Sequence, residues 1–205
     1  MLYEFKDLID PRMLPGRRKE LMYYLVGFTD AEGCFSVSLK KQEGTRFGWV
    51  LDPVFHVTQH KSNRIVLEIF RRTLMCGRII EKHGQPDTLV YIVDNRRQLA
   101  EKVIPFFRRH RLILKHRDFE RFAEIVEALE EKKHATAEGF RELVQKAFEM
   151  NMAGKQRRYT LEEILGDIAS VASSGSSEAI RRTPREGVSN AEKGRRYGPP
   201  EKKGA

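Results

Sequence analysis

Cysteine is scarce in this chain of 205 residues, which has only Cys34 and Cys76. Neither belongs to a Cys-x-x-Cys pair or a cysteine–histidine cluster, so nothing indicates a zinc site, and we expect free thiols in a reducing compartment. Long apolar runs are also lacking, since none approaches the roughly 18–20 residues of a membrane span. The first residues lack the basic-then-apolar order of a signal peptide. We therefore expect no membrane partner, and a location in the cytoplasm or, for an organellar gene, in the organelle matrix.

Acidic residues are fewer than basic ones, 29 against 38, which gives a formal net charge of +9. This balance indicates a polyanionic partner, with nucleic acid before an anionic membrane. The length favours one domain with appendages, and a hydrophobic content of 40% is enough for a core. We divide the chain into an N-terminal arm (1–19), a folded domain (20–170) and a basic tail (171–205). The tail is predicted to be disordered because its Ser, Gly, Arg and Lys residues cannot bury an apolar face.

One nearly apolar stretch, residues 20–33, predicts a helix that ends at Asp30-Ala31-Glu32-Gly33. Apolar side chains point in nearly every direction, so we expect this helix to be buried on most sides. Gly33 is expected to end it in the left-handed conformation. The C-terminal end of a helix carries partial negative charge, so each acid there should cost up to about 1 kcal/mol. We therefore expect a cation or hydrogen bonds elsewhere in the chain to compensate.

Small residues lie one turn apart on this helix, at Gly27 and Ala31. They would let another helix approach closely, and that helix could belong to a second copy of the chain related by a twofold axis. An ordinary core helix with an acidic end is the alternative interpretation.

The remaining pattern predicts alternating pairs of strands and helices. Strands are predicted at 34–41, 47–59, 77–82 and 88–93, with turns at 42–46 and 83–87, and Pro53 favours an edge position or a bulge. Helices are predicted from an N-cap at Ser62 to Met75, from Asn95 until Pro105 breaks it, and over 118–133 and 138–150, with a short last one after a capping box at Thr160. The order is helix–strand–strand–helix–strand–strand–helix. This is an α+β fold, with four antiparallel strands, helices against one face and extra C-terminal helices.

The second face of the predicted sheet is polar and basic. It is assigned Ser36, Ser38, Lys40, His56, Thr58, Arg78 and Lys82, with Tyr91 a weaker candidate. Such donors and cations suit base edges and phosphates, and a two-stranded ribbon can enter the major groove of DNA. An ordinary solvated face is the alternative, and the net charge favours DNA. We add Arg46, Arg64 and Arg117 to the predicted DNA-binding set.

Residues 25–33, Leu-Val-Gly-Phe-Thr-Asp-Ala-Glu-Gly, resemble the signature helix of the LAGLIDADG homing endonucleases. The resemblance extends from about residue 20 to 122. Residues 55–59 (Phe-His-Val-Thr-Gln) are similar to the family's second strand, and residues 104–107 (Ile-Pro-Phe-Phe) with 114–117 (Leu-Lys-His-Arg) are similar to its Pro-Phe-Phe and Leu-x-Lys-Lys elements. The family's order of helices and strands also matches the order predicted above.

The resemblance implies a role for each of several residues. Glu32 would be the metal-binding catalytic carboxylate, with Ala31 also assigned to the metal, although the family often has Asp at position 32. Asp30 would support the helix end, Gln59 would orient water, and Lys115 would stabilise the phosphate, with Arg117 beside it. The family often has another basic active-site residue near the start of the second helix, for which Asn63 and Arg64 are both candidates.

Hydrolysis of a phosphodiester by these residues needs a metal and a second chain. Mg²⁺ prefers carboxylate oxygens, and one chain supplies a single acidic signature, so a site with two carboxylates requires a homodimer. The interface is assigned to Leu25, Gly27, Phe28 and Ala31. We expect a Mg²⁺-dependent endonuclease that cuts a long, pseudo-palindromic double-stranded DNA site. The alternative is a non-cleaving binder on the same fold, either a maturase that binds intron RNA or a DNA-binding regulator.

Overall fold

Helices and strands follow one another in the predicted order. A computed structural model describes residues 18–150 and 158–173. Its elements are α1 (Arg18–Glu32), β1 (Gly33–Lys41), β2 (Trp49–His60), α2 (Arg64–Leu74), β3 (Arg78–Lys82), β4 (Gln85–Val93), α3 (Arg96–Gln98), α4 (Ile104–Arg109), α5 (His116–Glu130), α6 (Ala137–Glu149) and α7 (Leu161–Ser173). The predicted α+β fold is confirmed, and α6 and α7 are the extra C-terminal helices. Most of the predicted arm and tail, residues 1–17 and 174–205, lies outside the described residues.

The four strands form one antiparallel sheet in the order β1-β2-β4-β3. Alternate residues of each strand enter the core, as the period-2 pattern predicts. Phe35 stacks on Phe55 with ring centroids 4.9 Å apart and meets Phe107 of α4 at 5.4 Å and Phe119 of α5 at 5.3 Å. This aromatic cluster joins the inner face of the sheet to the helices. The outer face is left for other contacts.

Pro53 lies in a part of β2 that has a neighbour on one side only. β2 pairs with β1 from Trp49 to Val57, whereas its pairing with β4 begins at Phe55. Proline has no N–H to donate, so it is tolerated where β4 does not reach. The prediction of an edge position is therefore correct locally, although β2 is an inner strand of the sheet.

Two predicted helix boundaries are wrong. Ser62 does not cap α2, because a 3₁₀ turn (Lys61–Asn63) precedes that helix and His60 accepts the Ser62 N–H through its side chain. Pro105 does not break its helix, because a π-helical segment (Leu99–Val103) runs into α4 and places the proline in the first turn of α4. Proline has no N–H to donate, and the π-helical turn before it already departs from the regular pattern, since the Ile104 N–H donates to the Leu99 carbonyl five residues back.

Two residues of the second hairpin also differ from prediction. The turn is only His83-Gly84, with Gly84 at a φ of 72°, and β4 already begins at Gln85. Tyr91 lies in the core and not on the outer face. In the core, its hydroxyl donates to the Cys76 carbonyl at 3.0 Å. Burial raises the pKa of Tyr91 far above its ordinary value.

The last helix begins as its sequence predicts. Thr160 Oγ1 accepts the Glu163 N–H at 3.2 Å, and the Glu163 carboxylate accepts the Thr160 N–H at 2.7 Å, which is the predicted capping box. Across the described ranges, no helix has the length and apolar character required to cross a membrane.

Candidate active site

Helix α1 has one buried face and one exposed face, so the prediction of burial on most sides is wrong for the single chain. The inward face carries Met22, Leu25, Val26 and Thr29. On the outward face, Tyr23 is 71% exposed and Tyr24 45% exposed, and Gly27 and Ala31 are exposed further along. Leu25 is fully buried in the core, so it is not available to an interface. Phe28 is half-buried and packs against Phe70 at 6.0 Å.

The acidic end of α1 is held by a reciprocal contact with the loop before α5. The Asp30 carboxylate accepts the backbone N–H of Ile113 at 2.7 Å and that of Lys115 at 3.0 Å. In return, Lys115 Nζ donates to the carbonyls of Thr29, Asp30 and Ala31 at 3.0, 2.7 and 3.1 Å. A cation on the last carbonyls of a helix offsets the negative end of its dipole. The predicted compensation is confirmed, and this set of five hydrogen bonds is called the Asp30–Lys115 clasp below.

Gly33 follows the clasp and begins β1, but its φ is not positive, so the prediction of a left-handed stop is wrong. The reason for glycine is space: a Cβ at this position would lie 2.6 Å from Cγ2 of Thr29 and 2.8 Å from its carbonyl oxygen. Thr29 itself is fully buried, and its hydroxyl donates to the Leu25 carbonyl at 2.8 Å. Sequence reasoning overlooked Thr29, although its four-residue spacing from Gly33 was a usable signal. The close approach turns the chain from helix to strand directly after Glu32.

Glu32 is the last residue of α1 and is exposed to solvent. The Ala31 carbonyl beside it accepts a hydrogen bond from Lys115 Nζ through one of its two lone pairs. Among the described residues, no group of three or more His, Cys, Asp and Glu side chains lies close enough to hold a metal ion. One carboxylate and one carbonyl suit a hard cation such as Mg²⁺, which fills its remaining positions with water and phosphate.

Gln59 lies near the end of β2. Two residues before it, Val57 pairs with Gly33, the residue that directly follows Glu32. Asn63 Nδ2 donates to Gln59 Oε1 at 3.0 Å. Arg64 turns away to Glu68, with its nitrogens at 3.2 and 3.3 Å from that carboxylate. Glu68 is only 3% exposed and also pairs with Arg71 at 2.8 Å. Of the two candidates left open by the sequence, Asn63 is therefore the neighbour of Gln59.

The outer face of the sheet carries the predicted polar residues together with aliphatic ones. Strand register places Ser36, Ser38, Lys40, His56, Thr58 and Arg78 on this face, interleaved with Val50, Val54, Val90, Ile92 and Ile80. Lys82 follows beyond a register shift at the end of β3. Burial, followed by the charge of Lys82, lowers the pKa of His56, so this half-buried imidazole is neutral at neutral pH. The face is therefore less uniformly polar than predicted.

Four cations of the predicted DNA-binding set have partners within the chain, one of them Arg64 with Glu68 as described above. Lys40 pairs with Asp52, and Arg78 forms a two-pronged ion pair with Asp94 at 2.6 and 2.7 Å. The Arg46 guanidinium donates to the Ala135 carbonyl and lies 5.7 Å from the centre of the Phe47 ring, so it is turned toward the helices. Arg117 is exposed at the start of α5.

Comparison with known proteins identifies the family. The model of the LAGLIDADG endonucleases matches residues 25–126. Over 146 residues the chain is 40% identical to the homing endonuclease I-ApeII of Aeropyrum pernix, a match that covers 69% of this chain and 86% of that protein. The chain belongs to the LAGLIDADG endonuclease family. This confirms the resemblance seen in residues 25–33.

Two further comparisons extend the match. Over 91 residues the chain is 42% identical to the DNA endonuclease I-CeuI of Chlamydomonas moewusii, covering 44% of this chain and 42% of that protein. The solved structure of the archaeal intron-encoded homing endonuclease I-Vdi141I complexed with DNA superposes with a TM-score of 0.72 at 39% identity, over 76% of this chain and 99% of that one. Enzymes of the LAGLIDADG family are generally dependent on a divalent metal. Glu32, Gln59, Asn63 and Lys115 all fall within the matched residues, whereas α6 and α7 lie beyond them.

Proposed function

We propose that this LAGLIDADG endonuclease is a homodimer that uses Mg²⁺ to cut both strands of a long, pseudo-palindromic DNA site. The observation that carries the proposal is the end of α1. There the Asp30–Lys115 clasp fixes the backbone directly before Glu32, an exposed carboxylate at the end of a helix whose outward face has no cover from the described part of the chain.

Gly27 supports the dimer. A glycine inside a helix costs about 0.5–1 kcal/mol relative to alanine, so its presence needs a reason. No atom of the described residues lies within 4 Å of the Cβ that an alanine would add there. The reason therefore lies outside the described residues, and close approach of the same helix from a second copy would supply it. The exposed Tyr23, Tyr24 and Ala31 would flank that crossing, with half-buried Phe28 at its edge, whereas Leu25 is excluded.

The metal site is proposed at the junction of the two copies. Glu32 and the Ala31 carbonyl of each copy are the groups that would hold Mg²⁺. When bound, the metal neutralises charge on the scissile phosphate and lowers the pKa of the attacking water. The clasp holds the backbone of residues 29–31 directly before Glu32. Asn63 fixes the amide of Gln59, whose nitrogen is then left to donate to water or to a phosphate oxygen. Lys115 contributes positive charge beside the same phosphate.

DNA would lie along the outer face of the sheet, with each copy reading one half of the target. Ser36, Ser38 and Thr58 offer hydroxyl groups, His56 offers a neutral imidazole, and Lys82 offers charge. Lys40 and Arg78 are paired with Asp52 and Asp94, so their charge is already balanced within the chain. The aliphatic residues between them suit the methyl groups of thymine. Arg46 is not included, because its guanidinium is engaged with the Ala135 carbonyl. Arg64 is engaged with Glu68 in the same way.

One observation favours the non-cleaving alternative, an RNA maturase or a DNA-binding regulator. The ammonium group of Lys115 has three N–H groups, and each donates to a carbonyl of α1. A direct contact with phosphate requires that at least one of these bonds be exchanged. A protein that only binds nucleic acid would have no need for that exchange.

The test is cleavage of a randomised DNA duplex library in Mg²⁺, with Glu32→Gln beside the wild type and the cut sites recovered by sequencing. We expect the wild type to cut a long, roughly palindromic site and the variant to bind the same site without cutting it. Enrichment of bound DNA without any cutting by the wild type would refute the endonuclease and favour the binder, with RNA as the next ligand. Equal cutting by both proteins would refute the role of Glu32.

A further inference from the structure

The far end of the β1–β2 hairpin is tied to the C-terminal helices. β1 begins at Gly33, beside the candidate active site, and ends at Lys41, eight residues away. At a rise of about 3.3 Å per residue, this end lies roughly 26 Å from the active-site end of the strand. Along a DNA duplex, that distance corresponds to about 8 base pairs at 3.4 Å each. The connecting residues 42–48 are called the hairpin tip below.

Helix α7 is joined to the hairpin through Asp167. Its carboxylate accepts the Trp49 indole N–H at 3.1 Å and pairs with the Lys41 ammonium at 3.2 Å. The Lys41 ammonium also lies 5.1 Å from the Trp49 ring centre and 5.6 Å from that of Tyr159, the residue two positions before α7. Tyr159 in turn meets Trp49 edge-on at 4.8 Å. One carboxylate thus holds both strands of the hairpin, since Lys41 ends β1 and Trp49 begins β2.

The other side of the hairpin tip is attached to α6 and the turn before it. Phe47 is buried against Phe140 of α6 at 5.3 Å, and the Arg46 guanidinium donates to the Ala135 carbonyl. Inside the tip, Gln42 N donates to the Gly48 carbonyl at 2.9 Å and Gly48 N donates to the Thr45 carbonyl at 3.1 Å. The tip is therefore packed from behind by helices, with its outer side left open.

We propose that α7, through Asp167, holds the hairpin tip in place for reading the outer base pairs of the target, so that Asp167 is a positioning residue for specificity. This inference rests on the proposed function, because it assumes that the outer face of the sheet lies on DNA. Ordering the tip before binding removes an entropy cost of recognition, and a fixed tip accepts fewer base pairs than a mobile one. Asp167 acts through Trp49 and Lys41 and touches neither the cleavage site nor, by its position behind the sheet, the DNA.

The experiment compares three variants with the wild type. Asp167→Ala removes the hydrogen bond and the ion pair, and Asp167→Asn keeps an acceptor for the Trp49 N–H but removes the ion pair. Glu162→Ala is the matched control, because Glu162 is an exposed acid on the same helix and its loss changes the net charge equally. For each protein, cleavage is measured on targets substituted at one base pair at a time.

We expect Asp167→Ala to weaken discrimination about fivefold at positions near 8 base pairs from the centre, the factor that corresponds to one lost hydrogen bond. Discrimination at the central positions should remain unchanged, Asp167→Asn should lie between Asp167→Ala and the wild type, and Glu162→Ala should match the wild type. A profile of Asp167→Ala equal to that of Glu162→Ala, or a change that is uniform over all positions, would overturn the proposal.

Hydrogen exchange gives a second readout that needs no cleavage. The amides of Gln42 and Gly48 should exchange faster in Asp167→Ala than in Glu162→Ala, while amides of β2 near Val57 should not change. If the wild type cuts no target, the proposed endonuclease fails and this comparison still decides whether Asp167 holds the tip. Should Asp167→Ala fail to fold, Asp167→Asn carries both measurements, and an exchange rate equal to that of the control refutes the inference.

Discussion

Replacement of Gly27 by alanine separates the stability of one chain from the stability of the proposed dimer. In the single chain the new methyl group meets no atom of the described residues within 4 Å. Alanine also removes the backbone-entropy cost of a glycine inside a helix, so the free energy of unfolding of the chain should rise by about 0.5–1 kcal/mol. In the dimer the same methyl group would enter a close helix crossing, where overpacking costs about 1–3 kcal/mol. The twofold axis repeats this cost, so the total is roughly 2–6 kcal/mol.

The expected result is a chain that is more stable and a dimer that dissociates at least about 30-fold more readily, since 1.4 kcal/mol corresponds to a factor of ten. Sedimentation equilibrium gives the dimer Kd. Urea unfolding over a range of protein concentrations separates the stability of the chain from that of the dimer. Gly166→Ala is the matched control, because Gly166 also lies inside a helix, α7, with no described atom near its Cβ position. It should stabilise the chain without changing the Kd. An unchanged Kd for Gly27→Ala would refute the argument that a second helix accounts for this glycine.

Three further predictions follow from the site. Lys115→Met removes three hydrogen bonds to the end of α1 and should lower the free energy of unfolding by about 1–3 kcal/mol. Calorimetry measures this change. The control Arg117→Ala, at an exposed residue outside the clasp, should change the free energy of unfolding little, and equal effects of the two substitutions would contradict the clasp. Asn63→Ala should lower kcat about tenfold with little change in DNA affinity, because Gln59 loses the group that orients it, while a loss confined to affinity would place Asn63 in DNA binding alone. The pKa of His56 is lowered in the folded chain, so stability should fall as the pH drops below about 6.5, the ordinary histidine pKa. His56→Gln should make that fall shallower in urea unfolding at a series of pH values, and an unchanged slope would show that His56 does not titrate as described.

Local patterns in the sequence were sufficient for the elements that carry the site. The alternation from Cys34 to Lys41 predicts β1, and the side-chain types of Asn95 and Thr160 predict that they cap the helices that follow them. Both signals depend only on neighbours along the chain. The acidic end of α1 also predicts that a cation or hydrogen bonds from elsewhere in the chain compensate it. That this cation is Lys115, 85 positions from Asp30, follows from the fold and not from the local pattern.

The errors arise where long-range packing overrides the local pattern. Gly33 is predicted from its backbone freedom, but the structure requires it for its lack of a Cβ beside Thr29. Leu25 and Gly27 both fit an apolar helix, and only the position of α1 against the sheet decides that the first is buried and the second exposed. The sequence also could not show that the Arg46 guanidinium donates to the Ala135 carbonyl, in the turn before α6. Such contacts depend on parts of the chain far from the residue concerned.

The central claim, that two copies of Glu32 form the cleavage machinery, is tested most directly by mixing chains. Wild type and Glu32→Gln are refolded together in varied proportions, and double-strand cleavage of the recovered target is measured at a constant total protein concentration. If both copies are required, activity falls with the square of the wild-type fraction, to about a quarter in an equal mixture of a twofold dimer. Nicked DNA should accumulate where each copy cuts one strand. A fall to only about three quarters in the equal mixture, the share of dimers with at least one wild-type copy, would contradict the account, because a single Glu32 would then be sufficient. A linear fall to about half would also contradict it, because each chain would then act independently.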